Sequence, residues 1–180
     1  MDSERELYST ERLLVRRIDA ADFEDLYRVY SDPLAMRYVD EGLPIPRSDC
    51  LRWIDVTLAN YEKRGYGMSA LVLLATQQTI GFMGLVHPGG QDEPELKYAL
   101  LASAWGAGLA TEAARGMLQF GQRRFGMRRV IATTARENAA SHRVLEKCGM
   151  RVLEEPTYDD GRRGRTFVWE APDKPLGGFG

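Results

Sequence analysis

The sequence predicts one domain of mixed α/β class, on three observations. Short apolar runs read as consecutive antiparallel strands, one helix lies between strand-like runs as in a crossover unit, and no linker or internal repeat divides the chain. The 180 residues suit a single domain over 1–171, with a loose Pro/Gly-rich tail at 172–180.

Leu13-Leu14-Val15-Arg16-Arg17-Ile18 reads as the first strand. Asp19 then offers an N-cap to a helix with Phe23, Leu26, Tyr27 and Tyr30 on one face, and Asp32-Pro33 caps a short second helix. Gly42, Pro44 and Pro46 require a loop. Leu51, Ile54, Leu58 and Tyr61 then repeat at helical spacing until Gly65 ends the run.

Residues 69–75 and 79–86 are apolar strands joined by a short polar segment, as in a hairpin, and Glu95 to Leu101 supplies a third antiparallel partner. Ala113, Ala114, Met117, Leu118 and Phe125 mark the crossover helix, and Val130 to Thr134 the strand after it. A helix over 138–147, with Val144 and Leu145 inward, stops at Gly149, before strands at 151–154 and 165–169.

Composition narrows the function. A net charge of −2 gives no overall field for nucleic acid, although Arg123, Arg124, Arg128 and Arg129 form a basic stretch that fits either a solvated helix end or a phosphate-facing patch. The charged N-terminus leads into no signal-length apolar core, and no run of ~18 apolar residues exists, so neither secretion by that route nor membrane spanning is expected. Cys50 and Cys148, far apart in sequence, fit reduced thiols in a cytoplasmic protein. His87 and His142 with isolated cysteines give no metal-ligand spacing, so no metal is expected.

Two motifs carry chemistry. In Trp105-Gly106-Ala107-Gly108-Leu109-Ala110-Thr111, small residues at a helix start leave room for an anion against backbone N–H groups. A dinucleotide fingerprint would need a third Gly where Thr111 stands, and a P-loop would need Gly-Lys-Ser/Thr. The plain alternative is a tight strand-to-helix turn. Downstream, Asn138 and Ser141 stand three apart at another helix start, on one face. Asn is also an ordinary N-cap, and Ser there can bond its own backbone. Ser141-His142 is no hydrolase pair, because helix neighbours point apart and no Gly-x-Ser-x-Gly surrounds the serine; His142 is read as exposed.

Tyr98-Ala99-Leu100, then Trp-Gly-x-Gly-x-Ala-Thr-Glu-Ala, then Glu-Asn-x-x-Ser-x-x-Val-Leu-Glu-Lys-Cys-Gly-Met, resemble the GNAT N-acetyltransferases. Within them the chain is similar to the ribosomal-protein alanine/serine N-acetyltransferase (RimJ/RimL-like) branch. The likeness runs from Thr10-Glu11-Arg12-Leu13 to Val168, with Trp105 where Gln or Arg is usual.

The resemblance implies a twisted, mostly antiparallel sheet of about six to seven strands flanked by about four helices, with a βαβ segment that binds acetyl-CoA. It implies transfer of acetyl to a primary amine, either a protein N-terminal α-amine or a small-molecule amine, by direct attack in a ternary complex; a non-catalytic acyl-CoA sensor is the alternative. The pyrophosphate would sit on Gly106 to Thr111, the pantetheine would pair with Tyr98, Ala99 and Leu100, and Asn138 would contact its arm. Glu95 would act as base, directly or through water, its plain alternative being a solvated strand-end carboxylate. Ser141 would hydrogen-bond the departing sulfur. The acceptor would approach along Asp40 to Leu43 and Tyr158 to Gly161, whose carboxylates suit a cationic amine, and the protein would be a monomer or homodimer.

Overall fold

The computed structural model describes residues 5–39, 41–158 and 161–172. Asp40, Asp159, Asp160 and all of the expected tail except Pro172 lie outside the described residues.

Among the described residues, eight strands form one sheet in the order β1-β2-β3-β4-β5-β6-β8-β7. They are β1 Glu6–Ser9, β2 Leu13–Arg17, β3 Met68–Leu73, β4 Gln78–Val86, β5 Glu95–Leu100, β6 Arg129–Ala135, β7 Arg151–Glu154 and β8 Gly164–Glu170. Every neighbouring pair is antiparallel except β5–β6. The α-helices are α1 Phe23–Tyr30, α2 Pro33–Met36, α3 Arg47–Arg64, α4 Leu109–Phe125 and α5 Ala139–Lys147. The mixed α/β class and the crossover β5-α4-β6 are as the sequence predicts; among the described residues the five helices are those read along the chain, one more than the resemblance implies, and there is one strand more than expected.

The extra strand is β1. Glu6-Leu7-Tyr8-Ser9 is too short to announce itself, and it becomes a strand because β2 offers an antiparallel edge, Tyr8 facing Val15 in register. Tyr8 also reaches across to α4, where its hydroxyl donates to the Ala113 carbonyl at 2.7 Å and its ring lies against Gly116, whose missing side chain makes room for it.

Helix boundaries follow their caps. Asp19 accepts from Ala21 N–H at 2.8 Å and starts a single 3-10 turn that continues into α1, and Asp32 accepts from Leu34 N–H at 2.8 Å with Pro33 at the first helical position. Gly65 ends α3 at φ +81°. The buried face of α3 is Cys50, Ile54, Thr57 and Tyr61, with Leu51 52% exposed, so the expected stripe is rotated.

Alternation along the strands builds two cores. Leu71, Met83, Leu85 and Phe167 face α4 and α5, while Ala70, Val72 and Phe82 face α1, α2 and α3. Cys148 belongs to the first core and Cys50 to the second, so the sheet separates the two thiols. Burial pushes both up to about 11, which keeps them protonated at neutral pH.

Candidate active site

The site begins where β5 and β6 part. These parallel strands share one register pair, Glu95 with Ile131, next to a bond from Ile131 N–H to the Pro94 carbonyl at 3.0 Å. Beyond it, Lys97 to Leu100 stay paired with β4 and Thr133 to Ala135 with β8, so each strand keeps its outer neighbour while the space between them opens. Such an opening leaves backbone polar groups facing a gap that an extended ligand arm can fill.

Glu95 closes the narrow end of that gap. Its carboxylate accepts from Thr133 N–H at 3.3 Å and from the Thr133 hydroxyl, with Lys97 Nζ at 3.7 Å. Glu95 is only 3% exposed, so the solvated strand-end reading is wrong for it: the side chain supplies β6 with the partner that β5 no longer provides.

The Gly turn sits at the head of α4. Gly106 and Gly108 have φ of +76° and +79°, backbone that an L side chain adopts only under strain, and Gly108 is the N-cap without any side-chain bond. The N–H groups opening α4 therefore point outward without an intrahelical acceptor. A side chain at Gly106 would meet nothing within 4 Å, and at Gly108 only Arg12 Nη2 at 3.7 Å, so the space before these groups is open. Trp105, with its ring 53% exposed, donates its indole N–H to the Leu100 carbonyl at 2.8 Å and ties the turn to the end of β5.

Arg12 is a participant that the sequence reading passed over. Its guanidinium donates to the Ala107 carbonyl at 2.8 Å and to Glu112 at 2.7 Å, and Thr10 Oγ1 donates to Glu112 at 2.6 Å. Burial raises the Glu112 carboxyl, but the Thr10 hydroxyl and Arg12 outweigh it and hold the group below the usual carboxylate range. Thr10 and Arg12 between β1 and β2 thereby brace the turn and bring a cation to the positive end of α4. The only hint in the sequence was that Thr10 and Arg12 lay in the matching stretch.

On α5, Asn138 is the N-cap: its side-chain oxygen accepts from Ser141 N–H at 3.1 Å, which leaves its amide nitrogen available. Ser141 Oγ lies 2.6 Å from the Tyr98 hydroxyl, across the opening between the strands. His142 is buried, contrary to expectation. Its Nε2 is 3.0 Å from Thr134 Oγ1, Arg165 approaches Nδ1 at 3.4 Å, and the ring packs beside Phe167. Burial first, and then Arg165, lower its pKa and keep it neutral.

The basic stretch is elsewhere. Arg123 and Arg124 stand near the far end of α4, about 21 Å along the helix from the Gly turn. Arg129 pairs with Glu93 and Glu170. Arg115 donates to the Lys147 carbonyl at 2.7 Å. Among the described residues no cluster of three His, Cys, Asp or Glu side chains could hold a metal, and no helix is long and apolar enough to cross a membrane.

Residues 12–151 match the model of the acetyltransferase (GNAT) domain. The chain belongs to the GNAT acetyltransferase family. The match takes in the first full strand, the Gly turn, the opening between β5 and β6, and Asn138 with Ser141. This GNAT chain is 27% identical over 143 residues to the uncharacterized N-acetyltransferase YnaD of Bacillus subtilis, covering 79% of the chain and 81% of YnaD. Its fold is that of a GNAT acetyltransferase from Bacillus anthracis, with a TM-score of 0.77 at 24% identity, over 90% of this chain and 96% of the other. It is also that of RimL, a ribosomal L7/L12 α-N-protein acetyltransferase solved with coenzyme A, with a TM-score of 0.76 at 14% identity, over 92% and 97%. The chain is thus an acetyltransferase of GNAT architecture.

Proposed function

We propose that this enzyme transfers the acetyl group of acetyl-CoA to a primary amine, a protein N-terminal α-amine or a small-molecule amine, by direct attack in a ternary complex. The observation that carries the reading is the single register pair between β5 and β6. It leaves an opening flanked at one side by the unpartnered N–H groups of α4 and at the other by Asn138 and Ser141.

In this reading the pyrophosphate lies on the N–H groups from Gly106 to Thr111, where helix polarity and Arg12 both favour negative charge. The pantetheine arm enters along Tyr98 and Ala99, with the Asn138 amide nitrogen free to donate to it. Leu100 contributes less, since its carbonyl already accepts from Trp105. That coenzyme A is seen bound to RimL, which shares this fold, supports the donor. The protein N-terminus as acceptor, and the RimJ/RimL-like branch with it, rest on the same neighbour and on the motif likeness.

The amine must reach the thioester carbonyl without its ammonium proton. Glu95 and Lys97 share the face of β5 opposite the α4–α5 core, so an acceptor arriving from that side meets a buried carboxylate beside the narrow end of the opening. Glu95 takes the ammonium proton, the nitrogen forms its bond to the carbonyl carbon, the carbon–sulfur bond breaks with its electron pair on sulfur, and the second proton that the nitrogen sheds on becoming an amide passes through water to the thiolate. Ser141 donates a hydrogen bond to that sulfur. Of the expected acceptor segments, Glu41 to Leu43, Tyr158 and Gly161 belong to the described residues; the aspartates at 40, 159 and 160 do not.

Calorimetric titration with acetyl-CoA, followed by thiol release against a panel of amines that includes Ala- and Ser-initiated peptides and polyamines, tests the reading. Micromolar binding with turnover of at least one amine is expected. Binding without turnover on any amine would favour an acyl-CoA sensor, and absence of binding would refute both.

A further inference from the structure

Beyond this reading of Ser141, and resting on it, we infer that Tyr98 is a positioning residue for the leaving group: its phenol donates a hydrogen bond to Ser141 Oγ and so aims the Ser141 hydroxyl hydrogen at the coenzyme A sulfur. Three observations combine. The two oxygens are 2.6 Å apart. Strand alternation puts Tyr98 with Leu96 and Leu100 on the α4–α5 face of β5, while Glu95 and Lys97 take the opposite face, so the group that assists sulfur and the group that deprotonates nitrogen lie on different sides of the strand. Ser141 is held from behind by its N–H bond to Asn138.

Electrostatics fix the direction of the bond. If Ser141 donated to Tyr98, the departing sulfur would face serine lone pairs as its charge grew. With Tyr98 donating, two hydroxyl dipoles line up head to tail and end on the developing negative charge, each strengthening the other. Burial raises the Tyr98 phenol well above its ordinary value and outweighs the Ser141 bond, which lowers it. The phenol therefore keeps its proton throughout the reaction and acts as a fixed donor, not as an acid. The sulfur leaves with the electron pair of the carbon–sulfur bond and receives, relayed by water, the second proton shed by the nitrogen; none is drawn from Tyr98.

Tyr98→Phe removes one oxygen and keeps the ring. Coenzyme A alone is the first probe, because its thiolate absorbs in the ultraviolet and needs no acceptor. The bound thiol is expected to ionise about one pH unit higher in Tyr98→Phe than in the natural protein. The same shift is expected in Ser141→Ala and in the double variant. A ring-fluorinated tyrosine at position 98, a stronger donor of the same shape, is expected to move the thiol the other way, which keeps the test usable if Tyr98→Phe folds poorly.

With the amine that the panel turns over best, Tyr98→Phe should lower kcat about tenfold, the loss of one hydrogen bond that forms fully in the transition state, with KM for acetyl-CoA nearly unchanged. The double variant should be no slower than Ser141→Ala. An unshifted thiol in Tyr98→Phe beside a shifted one in Ser141→Ala, or losses that multiply in the double variant, would overturn the role of Tyr98 alone. Natural protein that fails to bind coenzyme A would overturn the proposed function and this inference together.

Discussion

The Glu95 carboxylate is held by a contact that crosses the opening between β5 and β6. Its position at the start of a strand is visible in Pro94-Glu95, but its burial depends on Thr133, 38 positions away, meeting it across the opening. Glu95→Gln keeps an acceptor for Thr133 while losing the base. It is expected to lower kcat by about 10²–10⁴ with acetyl-CoA affinity almost unaltered; stopped thiol-release assays beside calorimetric titration would show this. His142 is governed in the same way: helix geometry says correctly that it points away from Ser141, but not that β6 and β8 cover it. Its folded pKa lies below the unfolded ~6.5. The native state therefore binds fewer protons, and stability present above pH 6.5 falls as pH drops through that value. Melting temperatures of the natural protein and His142→Gln, compared at pH 7.5 and 5, should show a smaller acid loss in the variant.

At the scale of elements, the Gly turn was legible because its chemistry is local: glycines at left-handed positions and a helix start follow from adjacent residues. Gly108→Val forces a β-branched side chain to φ +79° and fills the space before the helix N–H groups. Acetyl-CoA affinity is expected to fall at least about 100-fold by calorimetry, with a stability cost of about 1–3 kcal/mol. The brace of the turn was not legible, since Arg12 and Thr10 reach Glu112 at sequence separations of 100 and 102. Glu112 has a folded pKa below its unfolded value, so its contribution is complete at neutral pH and is lost as pH falls below the ordinary carboxylate range through the lowered folded value. Arg12→Ala should raise KM for acetyl-CoA about tenfold and weaken the salt dependence of binding, as expected when one phosphate-facing cation is removed. Likewise, β1 exists only because β2 has an edge to pair, and the buried stripe of α3 is set by what packs on it, not by its own periodicity.

For the molecule as a whole, the two cores on either side of the sheet hold the opening between β5 and β6 in place. Phe167 is fully buried against the α4–α5 side and against His142. Phe167→Ala is expected to cost about 3–5 kcal/mol in urea unfolding. Because β8 also anchors β6, the loss of activity should track unfolding, not appear as a separate change in kcat. The sequence by itself determined the order of strands and helices from β2 onward, the crossover segment, the Gly turn and the Asn138–Ser141 face, because those depend on period, caps and turn chemistry within about fifteen residues. Only the tertiary structure decided that β5 and β6 share a single register pair, that Glu95 and His142 are buried, that Arg12 braces α4, and that Tyr98 meets Ser141. Each of these is a contact between segments far apart in the chain, and such contacts are chosen by packing and by the need to pair buried polar groups, neither of which any local pattern records.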